Sequence, residues 1–233
     1  MPDFSKRSDE IELMDDLTCS GEVIDQTLRE LEVINKWLGG NHVTIDGIGK
    51  LVKNNRAEVT IADLGCGGGD ILKLVAKWAR KNSVKVKLIG IDANANIIEF
   101  ARQNCQEYHE IDFQVIDIFS EEFKSLKFDI ITCTLFTHHF DDNSLVELYR
   151  SWLNQSNLGV VVNDLHRHWF AYYSIKWLTG LFSKSAMVKN DAAVSVERSF
   201  TKEDLNSVLT SAGITRYELN WMWAFRWQLV IES

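Results

Sequence analysis

The chain has 233 residues, 45% of them hydrophobic and 25% charged, with a formal charge of -8. That length and apolar share suffice for one full core, while the acidic balance speaks against a nucleic-acid partner, whose phosphates call for clustered Lys and Arg. No run reaches the ~18 uninterrupted apolar residues of a membrane span, so no stable membrane insertion is expected. The four cysteines, Cys19, Cys66, Cys105 and Cys133, show no paired spacing and read as reduced thiols.

In chain order, the opening MPDFSKRSDE holds no apolar leader core, which predicts a cytoplasmic protein. Val23, Ile24, Thr27, Leu28, Leu31, Ile34, Trp37 and Leu38 then recur at helical spacing until Gly39 and Gly40 stop the helix. This stretch forms either a cap over a ligand or a helix packed on a sheet edge.

The most informative run is VTIADLGCGGGD, from Val59 to Asp70. Val59, Thr60, Ile61 and Ala62 have the β-branched, apolar character of a central parallel strand. Gly65, Gly67, Gly68 and Gly69 permit positive φ and close backbone approach, and Ile71, Leu72, Val75 and Trp78 resume at helical spacing. A ligand here lies against bare backbone at a helix N-terminus. The dinucleotide fingerprint G-x-G-x-x-G fails, because Asp70 stands where its third glycine belongs. An acid two residues ahead of G-x-G-x-G, here Asp63 ahead of Gly65, Gly67 and Gly69, resembles motif I of the class I S-adenosylmethionine (SAM) methyltransferases.

Further strands follow in VKVKLIGID (Val84 to Asp92), FQVIDIF (Phe113 to Phe119), FDIITCTLFTHHF (Phe128 to Phe140) and GVVVNDLHRH (Gly159 to His168). Asp92 closes the second strand, where a carboxylate can take both ribose hydroxyls, and Asp117 closes the third. The resemblance implies that Asp117 accepts from the adenine amine and that the backbone N–H of Ile118 reaches a ring nitrogen. It places Asp63, Leu64, Gly65, Cys66, Gly67, Asp92, Ala93, Asp117, Ile118 and Leu135 around SAM, the expected cofactor. It also implies that the N-terminal helix closes over that cofactor, with Met14 to Gly40 the first stretch to search for added contacts. CTLF (Cys133 to Phe136) lacks the Asn/Asp-Pro-Pro-aromatic signature of the enzymes that methylate base amines, so that activity is not expected.

Between about His166 and Arg198 lies a second addition, crowded with Trp169, Phe170, Tyr172, Tyr173, Trp177 and Phe182. So many aromatics on one helix imply burial. A lid over an aromatic acceptor, a dimer surface and a helix lying on a membrane all fit, and a homodimer stays open. Thr201 and Asp204 suit a capping box at the next helix. The closing YELNWMWAFRWQLVIES alternates with period two and reads as two antiparallel strands broken near Trp223 to Phe225.

The expected fold is therefore α/β: a Rossmann-like, doubly wound, mostly parallel seven-stranded sheet with an antiparallel last strand, an N-terminal helical cap and a helical insert after strand five. One domain spans 1–233, with a cap at 1–55, a cofactor core at 56–165, the insert at 166–199 and a helix plus hairpin at 200–233.

His138 and His139 follow strand four, while His166, Arg167 and His168 follow strand five, at the strand ends where a doubly wound sheet opens its crevice. Neutral imidazole is a good base near pH 7, although each of these histidines suits a polar loop or core equally well. No spacing demands a metal ion, and none is expected. The sulfonium of SAM is already activated, so the protein must mainly position the nucleophile. A phenol, with pKa ~10, gains from a nearby base or positive charge, for which His138, His139, His166 and Arg167 are the candidates. The chain looks similar to ubiquinone/menaquinone-pathway and polyketide-tailoring methyltransferases, partly through the pairing of MDD (Met14 to Asp16) and LGG in the cap with NDLHRH. The expectation is methyl transfer to a small, aromatic or phenolic hydroxyl acceptor. Carbon methylation of a quinol-type ring, carboxylate methylation and a catalytically silent scaffold are the alternatives.

Overall fold

The computed structural model describes residues 2–53 and 57–233. The expected boundary between cap and core, at residues 55 and 56, lies outside the described residues.

The strands are β1 (Val59–Leu64), β2 (Val86–Asp92), β3 (Ile111–Val115), β4 (Phe128–Thr134), β5 (Ser156–Leu165), β6 (Tyr217–Met222) and β7 (Arg226–Glu232). They form one seven-stranded sheet in the order β3-β2-β1-β4-β5-β7-β6. β1 to β5 pair in parallel, and β7 runs antiparallel to both β5 and β6. Strand order reverses between β1 and β4, which opens a crevice beyond their C-terminal ends. The Rossmann-like fold expected from the sequence is the one formed.

The helices are α1 (Glu22–Trp37), α2 (Asn41–Val52), α3 (Asp70–Asn82), α4 (Ala95–Asn104), α5 (Glu121–Ser125), α6 (Asp142–Gln155), α7 (Trp169–Phe182), α8 (Ala186–Arg198) and α9 (Lys202–Ala212). One sheet face packs Ile61, Leu88 and Val161 against Ile48 of α2, Leu72 and Val75 of α3 and Ile98 of α4. The other packs Leu64, Ile131 and Val162 against Phe123 of α5, Trp152 of α6 and Leu209 of α9. Burial on both faces explains why the parallel strands read as continuous apolar runs.

Several boundaries moved. Helix α2 was not expected, because NHVTIDGIGKLV carries two glycines and several β-branched residues of low helix propensity. Tertiary packing decides it: a Cβ at Gly47 would lie 2.5 Å from Val161 Cγ1, so this glycine lets α2 settle close onto β5. β3 ends at Val115, leaving Asp117 just past the strand, and β5 ends at Leu165, before His166. The Thr201–Asp204 capping box is present. The final hairpin turns where Ala224 and Phe225 take φ of 61° and 55°, a conformation rare in non-glycine residues, which is why no Gly or Pro announced it.

The expected burial of the insert's aromatics is largely not observed. The insert is two helices, α7 and α8, and of α7 only Ala171, Tyr172 and Thr179 are buried. Trp169, Phe170, Tyr173, Trp177, Leu181 and Phe182 are each about half or more exposed. Its neighbours cover one face of α7, and much of the rest overhangs a cavity or faces water. The four cysteines are free, and among the described residues no helix is long and apolar enough to cross a membrane.

Candidate active site

A cavity of about 810 Å³ opens at the ends of β1 and β4. Asp63, Gly65, Cys66, Gly67 and Gly68 form one end. Leu28, Leu31, Ile34 and Asn35 of α1 line one wall, and Phe170, Tyr173 and Trp177 of α7 with Trp221, Trp223 and Phe225 of the hairpin line another. A polar corner holds Glu12, His138 and His139.

The glycine turn behaves as its spacing demands. Gly65, Gly67 and Gly69 take φ of 63°, 50° and 77°. A Cβ at Gly65 would meet the Phe136 ring at 2.3 Å, and one at Gly69 the Cys105 sulfur at 2.7 Å. At Gly67 the nearest atom would be Leu28 Cδ2 at 3.7 Å, so this position borders the open space of the cavity. Leu135, with φ of 54°, brings another strained backbone to the rim.

Asp63, next to last in β1, is buried and accepts a hydrogen bond from Thr132 Oγ1 at 2.9 Å. Burial, only partly answered by that hydroxyl and reinforced by Asp70 and Asp92, pushes its pKa up to about 7. Asp92 ends β2 beside it. Burial raises its pKa too, restrained by the backbone N–H groups of Asn94, Gly67 and Ala93, and Asn94 N–H lies 2.9 Å from Oδ1. Farther along the same sheet edge, the exposed Asp117 accepts from Phe119 N–H at 2.9 Å, and the side chain of Ile118 packs in the core. Of the ten expected cofactor residues, Asp63, Gly65, Cys66, Gly67 and Leu135 line the cavity. Leu64 is core, while Asp92, Ala93, Asp117 and Ile118 extend the edge beyond it.

The expected catalytic set separates into two places. His138 and His139 occupy the 3-10 turn after β4 (Thr137–His139), with rings stacked at 4.4 Å. His138 is buried, its Nδ1 2.6 Å from Asp164 Oδ1 and its Nε2 3.2 Å from Glu12 Oε1. Burial alone would lower its pKa, but Asp164 and Glu12 outweigh that and hold it up at about 10. Asp164, in turn, accepts from Thr137 Oγ1 at 2.5 Å and from the backbone N–H of His138 at 3.1 Å. His139 Nδ1 lies 2.5 Å from Asp15 Oδ1, and Arg198 fixes Asp15 from the other side at 2.7 Å.

His166 and Arg167 do not line this cavity. His166 accepts from Trp221 Nε1 at 3.2 Å. Arg167 is buried and spends its guanidinium on the carbonyls of Phe4 and Ser199 and on Asp204. That set ties the N-terminal segment to α9.

Sequence reasoning missed Glu12, Asp15 and Arg226. The first two sit in and beside the MDD run, where nothing local says that they fold back onto the loop after β4. Arg226 lies in an alternating strand, yet it is buried against the cavity with no ion pair among the described residues. Its partners are the side-chain oxygens of Asn35 at 2.9 Å and Asn163 at 3.4 Å, and burial lowers its pKa to about 10.

A family model described as a methyltransferase domain matches residues 55–213. The chain belongs to this family of methyltransferase domains. A 2-phytyl-1,4-naphtoquinone methyltransferase of Nostoc sp. is 26% identical over 151 residues, covering 62% of this chain and 64% of that protein. The chain spans less than two thirds of the length of each curated relative it matches. Among solved structures, the plantazolicin methyltransferase BpumL in complex with SAH superposes with a TM-score of 0.64 at 15% identity, covering 91% of this chain and 94% of that one. Human N-acetylserotonin methyltransferase in complex with SAM gives 0.64 at 14%, covering 90% and 55%.

Proposed function

We propose that the chain transfers the methyl group of SAM to the hydroxyl of a small, largely apolar aromatic acceptor. The observation that carries this reading is one continuous cavity with two unlike ends: glycine backbone and Asp63 at one, aromatic walls and the His138–His139 corner at the other. SAM is placed along the edge marked by Gly65, Gly67, Asp92 and Asp117, and its cationic portion faces Asp63. A cation entering beside a buried carboxylate favours its ionised form, which burial otherwise opposes. The acceptor occupies the space between α1, α7 and the hairpin, where Tyr173, Trp177 and Trp223 offer ring faces and edges. Its hydroxyl points to the histidine corner. The human N-acetylserotonin and Nostoc naphtoquinone enzymes, by name, act on aromatic compounds, which supports the acceptor class.

The test is incubation with SAM and a panel of phenols, naphthoquinols, aromatic acids and alcohols, read by mass spectrometry. A phenolic methyl ether should form. Products methylated only at ring carbon or carboxylate would overturn the hydroxyl reading, and SAM binding without any product across the panel would favour a scaffold.

A further inference from the structure

The corner at Glu12, His138 and His139 is built more elaborately than a hydroxyl's hydrogen bond requires. A nitrogen of each imidazole and an oxygen of Glu12 all lie within 4.8 Å of one another. Glu12 Oε1 and His138 Nε2 are 3.2 Å apart and buried, yet neither has a hydrogen-bond partner. At that separation the oxygen sits off the axis along which the ring N–H would donate. Two buried polar atoms left unsatisfied side by side are costly, unless a third atom satisfies both.

The remaining ring nitrogens are already committed. Nδ1 of His138 faces Asp164 and Nδ1 of His139 faces Asp15, which orients both rings and turns each Nε2 toward the corner, where a bound cation displaces the proton that His138 Nε2 carries without it. Histidines that bind metals almost always carry such a carboxylate on the second nitrogen. Those carboxylates are themselves held: Asp164 by Thr137 and the His138 backbone, Asp15 by Arg198.

We propose that Glu12, His138 and His139 bind a divalent transition-metal cation. Two imidazoles and one carboxylate suit zinc, cobalt, nickel or iron better than magnesium or calcium, which favour all-oxygen sets. All three residues line the cavity, so the cation keeps an open position on that side. On the reading of the cavity as a hydroxyl-acceptor site, that position receives the acceptor oxygen. The cation lowers the hydroxyl pKa and the proton passes to water. The oxygen lone pair then forms the C–O bond as the methyl–sulfur bond breaks, leaving its electron pair on sulfur as the neutral demethylated product.

Cation binding is measured without SAM or acceptor. Chelator-stripped protein is titrated with cobalt or zinc chloride by calorimetry, with elemental analysis for stoichiometry. The wild type and His109→Ala, altered at an exposed histidine, should each take up one equivalent. Glu12→Gln and His139→Ala should bind at least ~10-fold more weakly, and Asp164→Asn ~10- to 100-fold more weakly, with thermal unfolding reporting that each is folded. Should those variants not fold, the wild type alone decides: bound cobalt must shift the imidazole proton resonances of two histidines. A stripped wild type that takes up no cation, or variants that bind as well as it does, would overturn the site and leave a Glu12–His138 ion pair. Tight cation binding with no methylated hydroxyl would keep the site and overturn the acceptor reading.

Discussion

At the glycine turn a ligand meets main chain: three glycines at positive φ, the start of α3, and carboxylates that end consecutive strands. Across the cavity it meets side chains from the N-terminal segment, α1, α7 and the β6–β7 hairpin, with few residues from any one. The first end is specified within about a dozen residues and is rigid because sheet hydrogen bonds hold it. The second exists only once distant segments have assembled, and its aromatics stay half in water. Cofactor binding should therefore respond sharply to single backbone changes, and acceptor binding should respond to side chains in small, distributed steps.

The largest effect is expected at Gly67. Replacing it with Val puts a branched side chain into ligand space and forces a positive φ that costs about 1–3 kcal/mol, so SAM binding should vanish by calorimetry while the fold persists. Retained binding would mean that the ligand bypasses the turn. Asp92→Ala comes next: losing charge-assisted hydrogen bonds to the ribose should weaken SAM by about 1.5–3 kcal/mol, and unchanged affinity in a folded variant would remove that carboxylate from the site.

A third expectation concerns pH. With its pKa raised to about 7, Asp63 holds a proton in the free protein that a cationic ligand displaces. SAM affinity should rise a few-fold from about pH 6 to about pH 7.5, and Asp63→Asn should flatten that slope. The same raised pKa makes the ligand-free fold lose stability as pH climbs from near 4 towards 7, because the native state binds the proton more tightly than the unfolded chain. Asn at this position should remove that loss in thermal scans. The smallest effect is Trp177→Ala. This residue is 67% exposed, so only part of its area can be covered, and about 0.5–1 kcal/mol in acceptor KM with SAM affinity intact is the expected reading. A loss as large as that at Asp92 would show α7 to be a closing element and no mere wall.

The same contrast explains what the sequence made legible. The turn from Asp63 to Asp70 and the acids at Asp92 and Asp117 follow from local spacing, and the doubly wound sheet from the resemblance those residues carry. The His138–His139 pair was visible as a candidate, but its partners Glu12, Asp15 and Asp164 are brought to it by tertiary folding over more than 100 residues in two cases. Helix α2 was hidden because burial against β5 overrides weak propensity. The aromatics of α7 misled for the converse reason: a cavity wall needs apolar side chains without a core around them.

Arg226 adds a consequence for the free protein. A guanidinium enclosed at 2% exposure, with amide oxygens as its hydrogen-bond partners and the Asp164 carboxylate as the charge that acts on it, is incompletely solvated by its surroundings. Any ligand that develops negative charge within reach relieves that deficit. Resistance to heat should then increase with the anionic character of the bound molecule more steeply than with its size, and a melting series of isosteric neutral and ionised aromatics would read out the field inside the cavity.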